Sequence, residues 1–574
     1  MTTSHTTEAS ALDRRCDALH EDFLALSPLS QTAAGMHDND DKWDDFSPAG
    51  RDAYRGVLTR MLADVDALEK QGWGPGDDVT AAALRDRLGV ALELDDLGEW
   101  KRDLNNIASP FQYMRDAFAL MPRDSAEDGE RLRARIASMG TALEGARLSL
   151  AEGLATGTVP ARRQVCLVAQ QIRDFIAPGG YLDELTIPAA GGTEEQWQAA
   201  ASAAREGLSA FARWLTETLA PAATDTDGVG KERYEVLSRE FVGAKIDLDD
   251  AYEWGLARLG EVVTRQREIA RELYGPGVDV PEALERLNAD PSRQLHGTDA
   301  LREWMQGWAD RALNEVGSEL VDIDPRVATI ECHIDPSGTG GIYYMAPSED
   351  FARPGRMCWA VPPGEDTFHT WQELTTVFHE GVPGHHLQLG AAMCAGLNKW
   401  RAVDCWLSGH GEGWALYAES LMTELGYESE PGELMGYLDS QRLRLARVAL
   451  DIGVHLGKPV PKEGPWAEGL RTEGTWDGDY AWDFLKANVA MAEGFLRFEC
   501  DRYLGWPGQA PSYALGQRFW RQLREDYVAA AGFDEGLPLR GADGRIAPIY
   551  REFHTRALAL GSLPLDVLRA ALLS

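Results

Sequence analysis

The sequence predicts a large, mainly α-helical protein that carries one small β-sheet beside its candidate site. Three observations lead there. Long stretches place apolar residues three and four apart, the spacing of one helix face. A single segment, 327–363, breaks into short alternating β-rich runs with turn residues between them. Finally, 574 residues exceed what one compact core holds, so the chain divides into subdomains or into helical halves flanking a deep cleft.

Along the chain, 58–71 (LTRMLADVDALEKQ), 128–154 and 194–220 read as amphipathic helices. Connections rich in Gly and Pro follow at 177–193 and 219–234. The second marks the domain boundary, giving an N-terminal helical region 1–230 and a catalytic helical region 231–574. A helix then opens with Asp247 as its N-cap and stops near Gly275. The segment 327–363 reads as a small sheet or a pair of hairpins. It lies directly before 367–380 (TFHTWQELTTVFHE), where helical spacing returns. An edge strand there is placed to hold a peptide in extended form by strand addition, and a loop that merely packs the sheet is the equal alternative. Tyr343 and Tyr344 on that strand read as packing residues.

Composition narrows the function classes. Apolar residues make up 44% of the chain, enough for a buried core and against wholesale disorder. Asp and Glu number 92 against 56 Lys and Arg, a net charge of −36. That field repels nucleic acid and anionic membranes, so neither is expected as a partner. Seven cysteines are scattered, odd in number and without a CxxC pair. They argue against a disulfide framework and a thiolate metal site, and fit a reducing cytoplasm. The N-terminus shows no apolar leader core, and no run approaches the roughly 18 apolar residues of a membrane span.

Seven of the 12 histidines fall between 333 and 455, a clustering that favours a site. The centre of that cluster is VFHEGVPGHHLQ, 377–388. It opens like an HExxH zinc helix with His379 and Glu380, but Pro383 stands where the second histidine belongs. In HExxH the histidines are one helical turn apart, so both ring nitrogens reach one ion at about 2.1 Å. The glutamate beside the first is placed to take a proton from the attacking water. Here His385 and His386 come six and seven residues after His379. On a regular helix that is a rise of about 9 to 10.5 Å, too far for one zinc. Pro383 cannot continue a regular helix and Gly384 bends freely, so the sequence predicts a deformed turn over 381–384 that returns a later histidine to the metal.

A third ligand is expected from 408–426, SGHGEGWALYAESLMTELG. Glu412 and Glu419 are seven apart and share a helix face with Ala415 and Leu416 between them, whereas His410, Trp414, Tyr417 and Leu421 read as a core face. The metal set is therefore His379, Glu412 and one of His385 and His386. His385 is preferred because it needs the smaller insertion.

HEGVPGHHLQ followed by EGWALYAE resembles the signature of a bacterial family known as domain of unknown function 885. The segments 495–517 (FLRFECDRYLGWPGQAPSYALGQ) and 553–568 (FHTRALALGSLPLDVL) are similar to it too, so the likeness spans most of the chain. The resemblance implies a gluzincin-like helical fold similar to the carboxypeptidase Taq family of zinc carboxypeptidases. In that family a glutamate seven residues before a second one supplies the third zinc ligand, and Glu412 and Glu419 match that spacing. The family keeps an unbroken HExxH, and this chain does not.

Together these readings predict a hydrolase with one zinc ion, Glu380 as general base and a short peptide or other amide as substrate. Tyr513, His455, Arg502 and Tyr503 are candidates to stabilise the developing oxyanion. Arg502 and Tyr503 read more readily as a helix-end ion pair and core packing, whereas Tyr513 and His455 are evenly balanced. Two other classes stand beside this one: a binding or scaffold protein on a degenerate peptidase fold, and a metal amidohydrolase acting on a non-peptide amide.

Overall fold

The computed structural model describes residues 9–74, 76–186, 191–335, 341–534 and 536–574. The first eight residues of the stretch read for a leader lie outside them, as do parts of the 177–193 connection and of the 327–363 sheet. Helix takes 67% of the chain and strand 5%, so the class is mainly α. Two units form. One comprises Met1–Val236 with Val454–Leu456 and Arg497–Pro507; the other comprises Leu237–Gly453, Gly457–Leu496 and Gly508–Ser574.

In the first unit, helix α1 (Pro48–Glu69) begins ten residues before the apolar periodicity that announces it. Ser47 caps it and Pro48 occupies its first turn, where a missing N–H costs nothing. Helices α2 (Ala126–Thr156) and α3 (Glu194–Trp214) both open on capping boxes, Ser125 with Asp128 and Thr193 with Gln196. Their apolar faces supply Leu132, Ile136, Met139 and Leu143, and Trp197, Ala204 and Leu208, to one core. The stretch read as helical to 220 passes into a π turn, Leu215–Leu219. The 177–193 connection holds a one-turn helix, Tyr181–Leu185.

In the second unit, α4 (Leu248–Tyr274) starts on Asp247, whose carboxylate accepts from the N–H groups of Asp249 and Asp250, and ends at Gly275. Strands β1 (Gln294–His296) and β5 (Thr367–His369) pair antiparallel. Strands β2 (Ile330–Asp335), β3 (Ile342–Met345) and β4 (Gly355–Ala360) form a sheet in the order β2-β4-β3. β4 runs parallel to β2 and antiparallel to β3, so β3 is an outer strand. Between β1 and β2 lies α5 (Thr298–Ala312), and β5 runs directly into α6 (Thr370–Glu380). Ile330, Cys332, Met357 and Trp359 of the sheet cluster with Leu301, Met305 and Ala309 of α5 and with Val377 of α6. Burying these side chains contributes roughly 1.5–3 kcal/mol for each large one and fixes α6 against the sheet.

Helix α7 (His385–Cys394) follows at once, and then α8 (Ser408–Glu424), α9 (Pro431–Leu456), α10 (Ser512–Ala530) and α11 (Pro548–Ala559). The sequence reading gave α8 one core face; in fact almost every residue from Gly409 to Met422 is buried. Trp414 and Tyr417 pack with Trp520 of α10 and His554 of α11, and the Tyr417 hydroxyl lies 2.9 Å from His554 Nε2. α8 and α10 approach so closely that a Cβ on Gly516 would stand 2.1 Å from the Gly409 carbonyl oxygen and 2.8 Å from the Gly413 Cα. No helix among the described residues is long and apolar enough to cross a membrane.

Gly516→Ala therefore forces backbone against backbone. We expect it to destabilise the fold by about 1–3 kcal/mol, read as a lower urea midpoint at unchanged slope. An unchanged midpoint would mean that the two helices do not meet at these glycines.

Candidate metal centre

The stretched motif does not form a bulged helix. It forms two helices with a turn between them. α6 ends at Glu380, and α7 starts at His385. Gly381, Val382, Pro383 and Gly384 connect them, with a cis bond before Pro383. The Gly384 N–H reaches back to the Phe378 carbonyl at 3.1 Å, and the His386 N–H reaches the Gly381 carbonyl at 3.2 Å. Gly384 is required for space: a Cβ there would lie 1.8 Å from the His379 carbonyl oxygen. The Trp414 indole N–H of α8 donates to the carbonyls of Pro383 and Gly384 at 3.0 and 3.1 Å.

The turn brings the His385 ring to 5.1 Å from the His379 ring, nearly perpendicular to it. Glu412 of α8 completes a trio. Its Oε2 lies 3.4 Å from His379 Nε2 and 3.8 Å from His385 Nε2. One donor atom from each of the three falls within 4.8 Å of the others. Donors about 2.1 Å from a tetrahedral ion stand about 3.4 Å apart. The trio fits a zinc ion, and its chemistry of two imidazoles and a carboxylate is that of a zinc site with one open position.

Second contacts set the tautomers that this requires. His379 Nδ1 lies 2.7 Å from Glu419 Oε1, and an ionised carboxylate only accepts, so that nitrogen carries the proton. Glu419 is held in turn by the hydroxyls of Thr375 at 2.9 Å and Ser440 at 3.3 Å. His385 Nδ1 faces the Gln388 amide oxygen at 3.1 Å. Both Nε2 lone pairs are thus left for a metal, as outer partners do for metal-bound histidines. The sequence reading missed this role of Glu419 and of Gln388. The signals were present: Glu419 is two turns from Glu412, and Gln388 is three residues from His385.

His386 departs from the candidate ligand set. Its Nε2 lies 2.9 Å from the Val327 carbonyl and its Nδ1 2.8 Å from the Tyr344 hydroxyl. A carbonyl only accepts, so Nε2 is protonated and Tyr344 donates to Nδ1. With both nitrogens engaged and the ring wholly buried, His386 fastens β3 to the turn, and burial lowers its pKa to about 4. Tyr344, read as packing, is the other half of that contact.

Electrostatics match the geometry. Burial pushes the Glu380 carboxyl up, against the pull of His379 and His385. Burial would lower His379, but the bonds to Glu412 and Glu419 outweigh it and carry the imidazole up to about 10, so a metal on Nε2 would take the place of a proton that these carboxylates favour. Burial likewise opposes ionisation of Glu412, yet His379 and His385 hold its carboxyl well below the usual range. Glu412 keeps 22% of its side chain exposed, whereas Glu419 keeps 2%. The trio's open side is therefore at Glu412.

The softer candidates have surroundings of their own. Tyr513 lies in the first turn of α10, with the guanidinium carbons of Arg444 and Arg447 at 5.7 and 5.2 Å from its ring centre. His455 and Arg502 belong to the first unit, whereas the trio belongs to the second. His455 Nε2 bonds the Tyr503 carbonyl at 2.9 Å, its ring stacks on Tyr234, and burial lowers it to about 4. Arg502 pairs with Glu499 at 3.0 Å.

Alanine at His379, His385 or Glu412 is expected to strip zinc, and His386→Ala to leave one ion bound. Glu419→Ala should weaken zinc by roughly 10–100-fold, since it removes the group that orients His379. Metal analysis of the five purified variants, with affinities from chelator competition, checks this. Zinc loss in His386→Ala alone would overturn the ligand assignment.

Comparisons place the chain among known proteins. It aligns with a putative lipoprotein of Colwellia psychrerythraea with a TM-score of 0.74 at 19% identity, over 98% of both chains. It aligns equally with a putative lipoprotein of unknown function from Shewanella oneidensis, with a TM-score of 0.73 at 17% identity, over 98% of this chain and 100% of the other. At such identities the likeness is one of fold. No curated protein matches the chain significantly. Residues 28–572 match the family described as bacterial protein of unknown function (DUF885), and the chain belongs to that family.

Proposed function

We propose that the protein is a zinc-dependent hydrolase of peptide bonds, carboxypeptidase-like or an oligopeptidase, acting on short peptides. The observation that carries this reading is the convergence of His379, His385 and Glu412, with Glu380 beside them and each histidine's far nitrogen already engaged. A zinc ion held by the trio would supply Lewis acidity, polarising the scissile carbonyl and lowering the pKa of the attacking water.

The chain's own residues do the rest. Glu380 is 7% exposed, and burial raises its carboxyl, which makes it a better proton acceptor in the ionised form. It takes the proton from the attacking water and hands it to the departing amine. Glu419 keeps the His379 ring in one orientation through both steps. β3 offers an outer strand edge, and Tyr344 and His386 fasten that strand to the turn bearing His385. An extended peptide laid along that edge would meet the trio in a fixed register. Tyr513 is the candidate donor to the oxyanion. The reading carries with it the gluzincin-like fold of the carboxypeptidase Taq family, with a substrate groove beside α6.

Glu380→Gln is the direct test. The amide keeps the shape but accepts no proton, so zinc should stay bound while turnover falls by about 10²–10⁴-fold. Cleavage of a peptide library, read by mass spectrometry on metal-analysed protein, supplies the measurement. Parent-like hydrolysis by this variant would remove Glu380 from the mechanism.

A further inference from the structure

One large side chain at the trio has no role yet. Trp406 lies just before α8 and leaves 43% of its surface exposed, unlike the buried Trp400, Trp414 and Trp520 around it. Its ring centre is 6.3 Å from that of His385, tilted by 51°. Its six-membered ring lies over Gly411, the residue before Glu412: a Cβ there would stand 2.2 Å from Trp406 Cη2 and 2.3 Å from Cζ2. The indole is thus seated on the backbone that carries one ligand residue and set against the ring of another. Trp414 and Trp520 spend their indole N–H groups on carbonyls, whereas that of Trp406 has no acceptor among the described residues.

Several physical points decide what such a wall is for. Exposing an indole forgoes the stabilisation that burial would give. Here the exposed ring adjoins the His385 ring and the backbone beside Glu412. A side chain attached close to a reacting carbonyl at the trio would lie within reach of its exposed surface. An aromatic ring arriving there gains burial and a tilted or stacked contact. A charged side chain would exchange full hydration for one ring face.

We propose that Trp406 is a specificity-determining residue, forming an apolar wall for an aromatic or bulky aliphatic side chain next to the scissile bond. This rests on the proposed function and adds the class of substrate to it. Gly411 is the positioning element, since only a residue without a side chain lets the indole lie there.

The test uses zinc-loaded, full-length protein and three probes, phenylalanine, alanine and lysine hydroxamate, with dissociation constants from calorimetry. The parent is expected to bind the phenylalanine probe about tenfold more tightly than the alanine probe. Trp406→Ala should erase that ratio at unchanged zinc content, and Trp406→Phe should keep most of it. Gly411→Ala should erase it too, with the tryptophan still present. Equal affinities in the parent, equal weakening of all probes in Trp406→Ala, or a preference for the lysine probe would each overturn the wall and leave the metal reading standing. Absence of zinc from the loaded parent would instead overturn the proposed function, and this inference with it.

Discussion

The site depends on one indole. Trp414 donates to two consecutive carbonyls, those of Pro383 and Gly384; the Gly384 oxygen also accepts the Gln388 N–H at 3.2 Å, so the indole matters most for Pro383. The turn between α6 and α7 lies deep in the protein, and a buried carbonyl without a donor costs about 1–3 kcal/mol. Trp414 removes that cost. It sits two residues beyond Glu412, so the helix that brings the third candidate ligand also stabilises the loop that returns the second one. The three ligands are in this sense positioned by two neighbouring side chains of α8. Behind α8, the glycine crossing with α10 and the aromatic cluster around Trp520 hold the helix at the required depth.

A second constraint is charge. Glu380, Glu412 and Glu419 are three carboxylates gathered beside two imidazoles, and burial opposes ionisation of Glu380 and Glu412. Glu419 is the best satisfied, with a histidine and two hydroxyls on its oxygens. Near it, Glu428 is fully buried, and burial raises its carboxyl well above the usual range. The gradient runs from a sealed interior at Glu419 to a partly exposed side chain at Glu412.

Much of this architecture was legible in the sequence, and the exceptions share a cause. Periodicity located α2 and α3, and the Asp247 cap and Gly275 stop bounded α4, because these signals are local. Pro383 and Gly384 announced a break for the same reason. The strand order β2-β4-β3 could not be read, since it places the last strand in the middle by a long-range pairing. The Gln388 contact is local, three residues from His385, but the partners of Glu419 and His386 lie on other elements and are chosen by how those elements dock. His386 shows the limit well. Its spacing from His379 differs from that of His385 by one residue, and only the direction of the first turn of α7 sends one ring to the trio and the other to Val327 and Tyr344.

The two-helix construction also bears on how such centres are found. A pattern with a fixed gap between histidines encodes a straight helix, and this chain escapes it because six residues separate His379 from His385. What the geometry conserves is the return of the backbone, in which one helix ends, a proline–glycine corner folds back, and a second helix presents its first residue. Any corner that closes over the same chord would serve, whatever its residue count. A search written for that chord, with a carboxylate and an indole two residues apart on a third helix, describes this centre better than any string of letters.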